Sequence, residues 1–167
     1  NPEVTLETLR RVRERNPGLL LCLATNGLAL PAHLDALVSL RVGHVTVTVN
    51  AVDPEIAARI YAWVREGGNR RTGRAAGEVL WRAQAAGIRA LSDRGVLVKV
   101  NCVLIPGVNE QHVAEVARRV AELGAVRFNC LPLHPVATTP FGNLTQPSQE
   151  LLRTVRPSTQ RMARSCR

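Results

Sequence analysis

Apolar positions change period along the chain, and the changes mark its elements. Val4, Leu6, Leu9 and Val12 recur at helical spacing among Glu and Arg, predicting a helix over 3–15 that stops at Asn16-Pro17-Gly18. Leu19 to Ala24 is a short unbroken apolar run, the mark of a buried strand, and ends at Thr25-Asn26-Gly27. Pro31 opens a helix to Leu40, where its missing N–H costs nothing. His44 to Val49 alternates as a β-branched strand and ends at Asn50. Asp53-Pro54-Glu55 supplies an N-cap, a first-turn proline and an acid favoured by the helix dipole, starting a helix to about Val64.

Gly67-Gly68-Asn69 breaks that helix, and a longer one from Gly73 to Arg94 turns Val79, Leu80, Ile88 and Leu91 inward. Val96 to Leu104 is a third strand. Pro106-Gly107-Val108-Asn109 is a turn with Asn109 as cap, followed by an amphipathic helix over Glu110–Leu123 and a fourth strand over Ala125–Leu131. Helices alternating with strands imply parallel strands joined by right-handed crossovers, an α/β fold. Residues 1–135 form this core. Residues 136–167 read as Pro- and Thr-rich loop, a short helix begun by Pro147, and a loosely ordered Arg- and Ser-rich tail.

Composition narrows the class. With 167 residues, 46% hydrophobic and 3% aromatic, the core is aliphatic, with Trp63 and Trp81 as isolated large fillers. No run reaches the roughly 20 apolar residues of a membrane span, and no signal peptide is visible, so a cytoplasmic origin is expected. The net charge of +9 is carried almost wholly by arginine, Lys99 being the single lysine. These arginines are scattered over helix faces rather than gathered with aromatics, which argues against a nucleic-acid binder. The chain starts at Asn1 and its only methionine is Met162, so it is expected to be an interior piece of a longer protein.

Ligands of parallel α/β folds bind at the carboxyl ends of the strands. Those ends carry Thr25-Asn26-Gly27, Asn50-Ala51, Asn101-Cys102 and Asn129-Cys130. Each amide offers a neutral donor and acceptor, suited to sugar hydroxyls and an amino-acid group, although each alone also suits a turn or cap. No acid pair and no nucleophile with an adjacent base accompanies them, so reactivity is expected from a cofactor. Cys22 is expected to be buried packing, and Cys102 and Cys130 are thiols near strand ends. His33 and His112 are expected to be solvated on helices, with His44 far from the site and His134 at the rim as a candidate ligand. Cys166 is a terminal thiol without a close partner.

The strings NPEVTLETL, LCLATNGLALP, HVTVTVNAVDPEIAARIYAWV and VLVKVNCVLIPGVNEQH together resemble radical S-adenosylmethionine (SAM) enzymes of nitrogenase cofactor maturation, the NifB family. The resemblance spans residues 1 to about 125 and thins over FNCLPLHPV and Phe141-Gly142. It implies a partial parallel (β/α) barrel of about four strands that binds SAM and reducible [4Fe-4S] clusters. It also implies the fusion of two clusters around a carbide derived from a SAM methyl group, giving the cofactor precursor.

By position, the resemblance sets Thr25 and Asn26 beside the SAM pocket and Asn50 near the ribose or carboxylate. Asn101, Val103 and Ile105 would flank the adenosine, and Cys166 would be an auxiliary-cluster ligand. The three-cysteine motif for the radical cluster belongs before Asn1, so this piece alone is expected to be inactive. Iron–sulfur cluster donors and nitrogenase assembly proteins are the implied partners. The competing reading is a non-catalytic degenerate barrel serving as a scaffold or cluster-carrier interaction module.

Overall fold

A computed structural model describes residues 1–160. In chain order the elements are α1 (Pro2–Arg15), β1 (Leu21–Thr25), α2 (Leu30–Ser39), β2 (Val42–Thr48), α3 (Pro54–Ile60), β3 (Val64–Glu66), β4 (Asn69–Arg71), α4 (Gly73–Asp93), β5 (Leu97–Leu104), α5 (Val113–Glu122), β6 (Arg127–Pro132) and α6 (Gln149–Gln160). Strands β1, β2, β5 and β6 form one sheet in that order, parallel throughout. The expected α/β architecture of about four parallel strands with flanking helices is present.

Alternation decides which face is covered. Val45, Val47, Val49, Val98, Val100, Cys102 and Leu104 are fully buried, and they pack with Leu37, Ile88, Leu91, Val113, Val116 and Val120 from α2, α4 and α5. The intervening residues of β2 and β5, including His44, Thr46, Thr48, Lys99 and Asn101, are only partly covered. A parallel sheet normally has both faces buried, except where one face lines the lumen of a barrel. Here the uncovered face is mostly polar, with Leu97, Val103 and Leu131 among its apolar members.

Several local expectations are corrected. Leu19 and Leu20 precede β1 and are 52% and 60% exposed, and Cys22 is exposed because β1 is an edge strand covered on one face only. Helix α3 stops at Ile60, and the Gly67-Gly68 break is the two-residue turn of a β3–β4 hairpin. Both glycines have positive φ, 55° and 85°, as the tight turn favoured by twisted hairpins requires. Trp63 is no core filler: it is 49% exposed, with the Arg65 and Arg70 guanidinium groups 5.7 and 5.6 Å from its ring centre.

Asn109 does not cap α5. Its N-cap position is His112, and Asn109 is 1% exposed beneath the preceding turn. Helix α6 runs to Gln160, further than the short helix expected, and Leu152 and Val155 pack against Cys102, Leu104, Val113 and Cys130. The remainder of the expected loose tail, 161–167, lies outside the described residues.

Candidate functional site

The uncovered face is ordered in layers by strand register. Thr48 is partnered by Asn101, and Asn101 by Asn129, giving an amide-rich layer toward the carboxyl end of the sheet. The Asn129 Nδ2 donates to Asn101 Oδ1 at 2.9 Å, which fixes both planes and leaves Asn101 Nδ2 and Asn129 Oδ1 outside the bond. One layer toward the amino end lie Ala24, Thr46, Lys99 and Arg127, and below them Cys22, His44 and Leu97. The Cys22 Sγ lies 3.6 Å from His44 Nδ1.

At the rim after β1, Thr25 Oγ1 accepts the Gly27 N–H at 3.1 Å and Asn26 Oδ1 accepts the Leu28 N–H at 3.0 Å. Both side chains therefore shape the turn, while Asn26 remains exposed. Gly27 has φ +86°, and a Cβ there would stand 2.8 Å from Gln84 Cγ and 2.9 Å from Val47 Cγ1. Gln84, 1% exposed on α4, donates through Nε2 to Asn26 O at 2.7 Å and to Thr48 O at 2.9 Å. One buried side chain thus ties the ends of β1 and β2 together. A cavity of about 310 Å³ opens beside this turn, lined in part by Thr5, Leu6, Leu23, Thr25, Asn26 and His33.

After β2, Asn50 is 9% exposed and its Oδ1 accepts the Val103 N–H at 2.9 Å, joining the rims of β2 and β5. Asn109 completes the joint. Its Nδ2 donates to Asn50 O and Val103 O, both at 2.9 Å, and its Oδ1 accepts the Ile105 N–H at 2.8 Å. Tyr61 lies against the same group. Burial pushes its phenol up to about 12, with hydrogen bonding to Asn50 pulling the other way. Val103 is partly exposed on the open face, whereas Ile105 is 2% exposed and covered by the chain itself.

His112, expected to be solvated, is partly buried, and its Nε2 accepts the Val52 and Asp53 N–H groups at 3.1 and 3.3 Å. Burial lowers its pKa, against the opposing pull of Asp53 and Glu115. A neutral ring with the proton on Nδ1 follows from that acceptor role. His134 is exposed. Sequence reasoning missed Gln84 and the roles of Asn109 and His112.

The thiols divide by face. Cys102 and Cys130 are register partners on the helix-covered side, and burial, then Cys130, pushes the Cys102 thiol far above its ordinary range. Cys22 is the one described thiol on the open face. Among the described residues no three His, Cys, Asp or Glu side chains come together. A [4Fe-4S] cradle of three thiolates is therefore not supplied by the described residues. Cys166 lies outside the described residues. No described helix is long and apolar enough to cross a membrane.

A one-sided parallel sheet with a mostly polar inner face and an amide-lined rim has the form of part of a (β/α) barrel wall. Residues 1–120 match the model of the radical SAM superfamily, and the chain belongs to that superfamily. Across 96% of its length it superposes on 86% of a crystallised domain of pyruvate-formate lyase-activating enzyme from Bacteroides vulgatus, with TM-score 0.69 and 17% identity, a likeness of fold.

In sequence it is similar to FeMo cofactor biosynthesis proteins NifB. It is 48% identical to that of Chlorobaculum tepidum over 93% of this chain. The identity is 49% to that of Klebsiella pneumoniae over 87%, and 42% to that of Bradyrhizobium diazoefficiens over 100%. The chain spans 37%, 32% and 35% of those three proteins.

Proposed function

We propose that this chain is the lumen wall and SAM-facing rim of a radical SAM enzyme that builds the nitrogenase FeMo cofactor precursor. The observation that carries the reading is the bonded Asn101–Asn129 pair on an uncovered parallel-sheet face, with Asn101 Nδ2 and Asn129 Oδ1 outside that bond. SAM presents ribose hydroxyls, an adenine edge and an amino-acid group, and neutral amides complement all three without the cost of a buried charge. SAM held here would supply the radical chemistry and the carbon for cluster fusion in the whole enzyme, whose cluster ligands lie outside the described residues. Asn101 and Asn129 bind and orient it. Thr25 and Asn26 set the turn beside it, Val103 offers an apolar contact, and Asn50 holds the β2 and β5 rims at fixed spacing. Ile105 acts through its backbone, by seating Asn109.

The whole enzyme is proposed to work in the cytoplasm with iron–sulfur cluster donors and nitrogenase assembly proteins. It combines lyase and transferase character. The present chain, without a three-thiolate cradle among its described residues, is proposed to cleave no SAM under reducing conditions. Saturation-transfer NMR with SAM tests the binding half. Contact should be saturable and should weaken about tenfold in Asn101→Leu, the loss of roughly one hydrogen bond to a polar ligand with the desolvation it leaves behind. No contact, or contact indifferent to that substitution, overturns the reading.

A further inference from the structure

We infer that Lys99 and Arg127 form a cationic subsite on the lumen wall that takes a compact, multiply charged anion; the role of that anion as substrate rests on the function proposed above. The two residues are register partners on β5 and β6. Lys99 lies between Val98 and Val100, both 0% exposed on the helix side, so its side chain leaves the opposite face. Arg127 shares that face with Asn129, whose bond to Asn101 fixes the orientation of both strands.

Among the described residues, neither cation takes part in a hydrogen bond or ion pair. Every ion pair among the described residues lies elsewhere and uses Arg10, Arg11, Arg74, Arg82, Arg94 or Arg118. The alternate positions on the open face of β1, β2, β5 and β6 contain no Asp or Glu. Two like charges side by side across neighbouring strands weaken a sheet, so the pair gives the fold nothing. An anion between them would reverse the sign of that interaction.

The pair lies two residues, about 7 Å, below the amide layer, deep enough for a second ligand beneath one held by Asn101 and Asn129. Lys contributes a compact point charge and Arg a planar fork of donors, a combination that suits an anion with several acceptor atoms. A sulfide- and thiolate-rich iron–sulfur cluster and a condensed phosphate share that chemistry.

Because Lys99 is the single lysine, reductive ¹³C-dimethylation, which keeps the charge, gives one side-chain NMR signal apart from the terminal amine. The full chain is titrated separately with pyrophosphate and with a water-soluble, thiolate-capped [4Fe-4S] cluster. The Lys99 signal should shift or broaden to saturation. Arg127→Gln should weaken the response about tenfold, the loss of one hydrogen bond to a charged group, and Arg127→Lys should retain most of it. Arg65→Gln, a cation removed from the hairpin, should leave it unchanged.

Tighter response to the cluster identifies a sulfide-rich ligand, and tighter response to pyrophosphate an oxyanion. A Lys99 signal that neither probe moves overturns the subsite, as does an equal loss in Arg65→Gln and Arg127→Gln. SAM contact measured on the same samples separates the two claims. SAM contact without an anion response sinks the subsite alone, and an anion response without SAM contact supports the subsite while sinking the proposed function.

Discussion

The Gln84 Nε2 donates to the Asn26 carbonyl at 2.7 Å across 58 residues of chain. The same nitrogen reaches Thr48 O, so its two N–H groups satisfy two strand-end carbonyls that have no ladder partner beyond the sheet. The rim turn Thr25-Asn26-Gly27 is thereby set from behind, by a helix, and its front is left open.

Replacing Gln84 by Met keeps the volume and removes both donors. Leaving two part-buried carbonyls without these donors should cost roughly 1–3 kcal/mol, seen as a lower urea midpoint with an unchanged slope. Gly27→Ala should cost a similar amount by another route, since the new Cβ collides with Gln84 and Val47 at a positive φ. Loss of less than about 0.5 kcal/mol in both would show that the clamp does not hold the rim.

His112 makes stability depend on pH. Its pKa is lowered in the folded chain because burial disfavours the charged ring and Nε2 is committed as an acceptor. Between the folded value and the unfolded value of about 6.5 the unfolded chain binds more protons, so stability falls as pH drops through that window and is fully present above it. Asp53 and Glu115, the acids facing the ring, moderate the effect. Urea midpoints of the wild type should decline from about pH 7.5 to about pH 5.5, and those of His112→Gln should decline less. Parallel profiles would remove His112 as the cause.

Thiol reactivity should follow the two faces of the sheet. Cys22 is exposed on the open face, whereas Cys102 is 0% and Cys130 7% exposed on the helix-packed one. Nucleophilic attack needs an accessible thiolate, and burial both shields Cys102 and raises its pKa. Peptide mapping after a short iodoacetamide pulse should find Cys22 modified and Cys102 and Cys130 untouched until denaturant is added. Equal labelling of all three in the native chain would contradict the packing.

The fold was legible wherever one period dominated. The alternation of His44 to Val49 and of Val96 to Leu104 marks strands because a single face is packed by helices. Leu19 to Ala24 misled for the complementary reason: an unbroken apolar run suggests burial on both sides, but β1 is an edge strand with one covered face. The β3–β4 hairpin escaped because its strands have three residues each and are rich in Arg, leaving Gly67-Gly68 as the sole signal.

The site was legible as a row of asparagines at strand ends, but not as a network. Asn101 and Asn129 sit inside strands rather than at their tips, which makes them lumen residues. Gln84 could have been found, because a lone amide at an inward position between Leu80 and Ile88 must have a buried partner. Asn109 and His112 bond to groups 59 and 60 residues away, and no local pattern encodes such partners.

Asn109 permits the sharpest single-atom test. Substitution by Asp keeps the shape and the acceptor for the Ile105 N–H, but replaces the amide that donates to Asn50 O and Val103 O with an oxygen. The position is 1% exposed, so an ionised carboxylate would face two carbonyls without water. Folding must therefore favour the neutral acid and raise the new group's pKa above its unfolded value of about 3.9. A raised folded pKa gives a stability contribution that is present below the unfolded value and lost as pH rises toward the folded one. The deficit of Asn109→Asp relative to wild type should be small near about pH 4 and grow to roughly 3 kcal/mol or more by about pH 7. A deficit independent of pH would mean that the turn after β5 opens and lets the carboxylate reach water, in which case Asn109 does not hold the β2 and β5 rims together.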